Sequence, residues 1–135
     1  MARSVPEGWT LRPSTGFSAM VGPFWVREEE GNLACGFVPG SGHLNEGGTV
    51  HGGMLATAFD VALGMVVWEA VGRRPIATIQ LNVAYVAAVR SGDFVEARST
   101  VVRVTRSLAF MRGALTVAGH TVATADGIWK VVRPA

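Results

Sequence analysis

Between Glu46 and Glu69 the chain carries one formal charge, Asp60, and that carboxylate stands in the middle of its most apolar stretch. Residues 54 to 70 contain no proline, are not dominated by β-branched side chains, and run for four to five helical turns from Gly52-Gly53 before Gly72 and Pro75 stop them. The spacing predicts one long helix. Being apolar on nearly every side, it should be wrapped by other elements rather than lie on a surface. An ionised carboxylate on such a helix is costly unless it is paired or hydrogen-bonded. Asp60 therefore needs a partner, a task, or both.

A chain of 135 residues suits one domain, here residues 1–135. With 49% hydrophobic and 16% charged residues, few charges remain to cover a surface, so part of it is expected to be buried against other subunits. The formal charge is +2, and eleven Arg and one Lys are scattered from Arg3 to Arg133, which does not resemble a nucleic-acid footprint. Arginines near a pocket would suit the phosphates of a small ligand. Cys35 stands alone, so neither an intrachain disulfide framework nor a metal cluster is expected, and a reducing cytoplasm is the natural setting. The first twenty residues lack the apolar core of a signal peptide. A membrane span is disfavoured as well, because a carboxylate at its centre costs about 2.5–3.5 kcal/mol even on a lenient scale.

Residues 1–16 read as an irregular lead, continuing to Pro23 with at most a short helix. Residues 24–27 and 33–38 flank a charged run ending in Gly31-Asn32, which predicts a hairpin. Residues 39–49 are a loop by composition. From residue 76 the period becomes two, and strands over 76–85, 94–105, 108–118 and 121–133 with short connections predict an antiparallel meander. The layout is α+β, with a sheet curling around one central helix.

Gly52 and Gly53 at a helix start present unsatisfied N–H groups and the positive end of the dipole to whatever lies in front. Such a place can hold a phosphate or stabilise the oxyanion formed in acyl transfer. Asp60 lies seven residues beyond Gly53, on the same face two turns on, and a carboxylate kept from water holds its proton more tightly, as a general base requires. At about 1.5 Å rise per residue the two are on the order of 10 Å apart, too far to act on one carbonyl carbon within one subunit. The small residues Gly53, Ala56, Thr57, Asp60 and Gly64 share that stripe. Two such helices antiparallel about a two-fold axis would set Asp60 of one against Gly52 and Gly53 of the other. His51 is a candidate base or a structural residue. The dispersed histidines offer no metal-ligand spacing, and no Gly-x-Ser-x-Gly is present.

Asn45-x-x-Gly48-x-x-His51-Gly52-Gly53 with Asp60 seven residues on resembles the hotdog-fold acyl-CoA thioesterases of the phenylacetate-pathway (PaaI-like) group. The likeness extends to Thr78-Ile79-Gln80-Leu81-Asn82-Val83-x-Tyr85, to Arg90-Ser91-Gly92-Asp93 and to Ser107-Leu108-Ala109-Phe110. The resemblance implies a hotdog fold, one long helix wrapped by a five- to six-stranded antiparallel sheet, in a homodimer or a tetramer of paired dimers. It implies that an acyl- or arylacyl-CoA is hydrolysed without metal or redox cofactor, coenzyme A being part of the substrate. By the same resemblance Asp60 is general base or nucleophile, the Gly52 and Gly53 N–H groups form the oxyanion hole, Asn45 and His51 shape that loop, and Thr78 helps hold the attacking water. Arg90, Arg103 and Arg106 are the candidate contacts for coenzyme A phosphates. An enoyl-thioester hydratase and a non-catalytic acyl-CoA sensor are the alternatives.

Overall fold

The computed structural model describes residues 5–132, so Arg3 and the expected strand end at Arg133 lie outside the described residues. In chain order the elements are β1 (Thr10–Arg12), α1 (Gly16–Val21), β2 (Phe24–Glu29), β3 (Asn32–Phe37), a 3-10 turn (Ser41–His43), α2 (Gly52–Ala70), β4 (Ile76–Tyr85), β5 (Val95–Val104), β6 (Leu108–Val117) and β7 (His120–Val131). The expected α+β layout with one central helix is the one observed. The sheet has seven strands rather than five or six, because Thr10–Arg12, inside the stretch read as irregular, pairs with β2.

All pairings are antiparallel, in the order β1-β2-β3-β5-β6-β7-β4. The expected meander holds for β5, β6 and β7 but not for β4, which pairs along the outer edge of β7. Residues 86–94 then cross the end of the sheet so that β5 can join β3. A period of two says which residues share a face; it carries no information about which strand lies alongside. The crossing loop is pinned where Val50 N–H donates to Val89 O at 2.8 Å, which closes the sheet over the start of α2.

The two-residue turns of the β2–β3 and β6–β7 hairpins have positive φ in both central positions, Glu30-Gly31 (50° and 79°) and Ala118-Gly119 (49° and 79°), the turn whose twist matches the strands it joins. α2 packs against β3 to β7. Its buried residues, among them Leu55, Phe59, Leu63 and Val67, meet Phe24, Met111, Leu115 and Trp129 of the sheet in one core. By length and composition α2 could span a bilayer, but half of its most apolar window is buried inside the fold.

The expectation that α2 is wrapped on every side is corrected. Asp60, Gly53 and Trp68 are exposed, and Thr57, Val61 and Gly64 half-buried, along one stripe that the sheet leaves open. The curled sheet does not close on itself, and a slot remains between its β1 and β4 edges. Asp60 stands in that slot and is not a core carboxylate.

Candidate active site

Asp60 is carried into the slot by the seven-residue step from the helix start, and a neighbouring strand meets it there. Thr78 Oγ donates to Asp60 Oδ1 at 2.6 Å, a short bond of the kind made to an ionised acceptor. Strict alternation would set Thr78 with Gln80 and Asn82 on the polar face of β4. The register shifts between Thr78 and Gln80, where Ile79 is the extra residue of a bulge. The bulge reverses the parity of the strand, so that Thr78 shares the helix-facing side with Leu81 and Val83, while Ile79 stays exposed. Asp60 and Thr78 line one hollow of about 420 Å³ with Trp68, Trp129, Met65 and Ile76.

The helix start is built by other contacts. His51 caps α2, its Nδ1 accepting from Gly53 N–H at 2.8 Å, which leaves the ring proton of the neutral imidazole on Nε2. A Cβ on Gly53 would stand 2.9 Å from that Nδ1, so glycine is required by close approach. On the other side, Tyr85 Oη donates to Gly52 O at 2.7 Å, and a Cβ on Gly52 would meet the tyrosine ring at 3.1 Å. The trans peptide between Gly52 and Gly53 is thus held at both ends, its oxygen by Tyr85 and its N–H by His51. The Gly52 N–H has no partner among the described residues. Of the two expected oxyanion donors, Gly52 is the open one and Gly53 already serves the cap.

In the loop before the helix, Asn45 Oδ1 accepts from Thr49 N–H and its Nδ2 donates to Thr49 Oγ1, both at 3.1 Å. His51 N–H donates to His43 O at 2.8 Å, and His43 in turn bonds Gly40 N–H and Val21 O, tying α1, this loop and the helix start together. Sequence reasoning did not single out His43 or Tyr85 as supports of the helix start, since hydrogen-bond partners 33 residues apart leave no periodic trace.

Gly53 and His51 line a second hollow of about 240 Å³ that shares no residue with the Asp60 hollow. Asp60 and Gly53 at the helix start thus face different openings of one chain. The three arginines do not converge. Arg90 lies in the crossing loop near the helix start, whereas Arg103 and Arg106 lie at the opposite end of the ten-residue β5.

Comparison with known proteins adds to this geometry. The thioesterase superfamily profile matches residues 47–124, which span the helix start, Asp60 and Thr78. A Pseudomonas aeruginosa protein named "putative esterase" is 31% identical over 131 residues, covering 95% of this chain and 98% of its own. A Ralstonia eutropha structure, described as a "putative thioesterase, phenylacetic acid degradation-related protein", superposes with a TM-score of 0.79 at 26% identity, over 89% of this chain and 92% of that one. A Bacillus halodurans protein crystallised with coenzyme A matches with a TM-score of 0.75 at 25% identity, over 92% and 83% of the two chains.

Proposed function

The chain belongs to the thioesterase superfamily, and on that premise we propose that it hydrolyses an acyl-CoA thioester to the free acid and coenzyme A. The observation that carries this reading is the bond from Thr78 Oγ to Asp60 Oδ1 in an open, apolar-walled slot. With Oδ1 held by Thr78, Oδ2 is left to take a proton from water. The water oxygen attacks the thioester carbon, and the carbonyl oxygen gains the charge. An N–H at a helix start stabilises that charge, and Gly52 supplies the open one. Collapse of the tetrahedral adduct breaks the C–S bond and releases coenzyme A as thiolate.

Base and donor act together across a two-fold axis. β4 ends the sheet, its outer edge is unpaired among the described residues, and Ile79 and Tyr85 are more than half exposed along it. Pairing β4 with its copy continues the sheet and brings the open stripe of α2 against that of the partner, Asp60 toward Gly52. Coenzyme A as the leaving group is supported by the relative crystallised with it.

A free-thiol assay over aromatic, short, medium and long acyl-CoAs, run on wild type and Asp60→Asn, tests the reading. Equal rates from the two proteins would overturn it. Mixing an Asp60→Asn subunit with a Gly52→Ala subunit tests the shared site: the mixed dimer should regain part of one site's activity, and no recovery rejects the arrangement.

A further inference from the structure

The Asp60 hollow has a wall that the proposed reaction does not use. β1 and β4 are the two ends of a seven-stranded sheet, yet both border this hollow, because the sheet curls until its edges face each other across α2. From β4 come Ile76 and Thr78, and from the β1–α1 side come Arg12 and Ser18. Both residues of that second wall precede the span matched by the superfamily profile.

Arg12 is half-buried, and among the described residues its side-chain hydrogen bond is a donation from Nη1 to Ser14 Oγ at 3.1 Å. Among the described residues no carboxylate lies within ion-pair distance of it. A guanidinium keeps its charge and presents a planar set of donors, so one in the wall of a hollow lined by Val61, Met65, Trp68 and Trp129 as well as by Ser18, Asp60 and Thr78 is left with unspent donors among the described residues. An anionic oxygen pair on a bound molecule satisfies that geometry in bidentate fashion. An acyl-CoA offers two such sources, the phosphates of coenzyme A and a carboxylate on the acyl group. The pantetheine arm sets the phosphates far from the reacting carbon, beyond one hollow that has both Asp60 and Arg12 in its wall. The acyl group is the part that fits.

We propose that Arg12, backed by Ser14, is the specificity residue of this site and selects acyl groups that end in a carboxylate, the monothioesters of dicarboxylic acids. The proposal rests on the thioesterase reading above. The acyl chain lies against the two indoles, its thioester at Asp60 and its far carboxylate at Arg12, across the slot from Thr78. The charge on Asp60 repels a carboxylate placed near it, so substrates long enough to separate the two are favoured over short ones.

The experiment compares kcat/KM for adipoyl- and suberoyl-CoA with hexanoyl- and octanoyl-CoA, in wild type, Arg12→Gln and Arg12→Lys, with thermal denaturation confirming that each variant is folded. The carboxylate-ended substrate of at least one pair should be favoured tenfold or more by wild type. Arg12→Gln should bring that ratio close to one through KM, and Arg12→Lys should restore part of it. A wild-type ratio near one in both pairs, or one that Arg12→Gln leaves in place, overturns the proposal. Turnover of methyl-ended thioesters alone sinks this inference and leaves the thioesterase reading standing. Failure to hydrolyse any of the four sinks this inference, whereas the thioesterase reading falls only if the aromatic, short and long acyl-CoAs of the screen above fail as well.

Discussion

On the proposed reading the two oxygens of Asp60 have different duties, Oδ1 held by Thr78 and Oδ2 acting as the base, and the substitutions that separate them are conservative. Asp60→Asn keeps the volume and an acceptor for Thr78 but removes the base, so kcat should fall by about 10²–10⁴-fold, the usual worth of general-base catalysis. Because Asp60 is exposed in the chain, the melting temperature should hardly change. Thr78→Ala frees Oδ1 to turn, and a kcat loss of roughly 10- to 100-fold is expected, since a hydrogen bond to a charged group contributes about 1.5–3 kcal/mol. Tyr85→Phe deletes the donor to Gly52 O and should cost about 1 kcal/mol in urea denaturation. An unchanged midpoint would show that the Gly52–Gly53 peptide is held without it. Asp60 was legible in the sequence because it is the one charge in its stretch. The bond from Thr78 was not, because a bulge at Ile79 reverses the strand's parity and alternation cannot announce a bulge.

The elements differ in how far local chemistry determines them. The hairpin of β2 and β3 follows from Glu30-Gly31, and Gly31→Ala, which forces a Cβ into φ +79°, should destabilise the fold by about 1–2 kcal/mol by calorimetry. Beside that turn Glu29 accepts from both Arg27 and Arg98, and Arg98 also reaches Glu96. The hydrogen bond from Arg98 above all, assisted by Arg27, lowers the Glu29 carboxyl from 4.5 to about 2. A depressed carboxyl stabilises the fold above its unfolded pKa and loses that contribution as pH falls through the folded one. Acid titration should therefore show a component of stability lost between pH 4.5 and about 2 that Glu29→Gln abolishes, with no difference in its pH slope above pH 6. α2 was legible as an element from its apolar run and its glycine and proline stops. Its open stripe was not, because a helix apolar on all sides does not tell which side the sheet leaves uncovered.

At the scale of the molecule, the shortage of charge is matched by an apolar band along the open edge. Ile79 and Val86 are 54% and 62% exposed, and Phe17 and Met20 of α1 are 60% and 81% exposed. If β4 pairs with its copy, Ile79→Lys places two cations beside each other at the two-fold axis. Size-exclusion chromatography should then show a smaller species, with thiol release reduced at least tenfold because base and donor no longer meet. Unchanged elution together with full activity would falsify the shared site. The sequence by itself determined the long helix, the strands from β2 onward, the carboxylate at the middle of the helix and its seven-residue step from Gly53. Those features depend on neighbours a few residues apart and on repeats of two and 3.6 residues. Only the tertiary structure decided that β4 lies outside β7, that Ile79 bulges, that Tyr85 reaches the Gly52 carbonyl, and that Arg12 from the first strand lines the hollow of Asp60. Each of these joins residues far apart along the chain, and the energy that selects them is the closure of the sheet around the helix, which no local pattern contains.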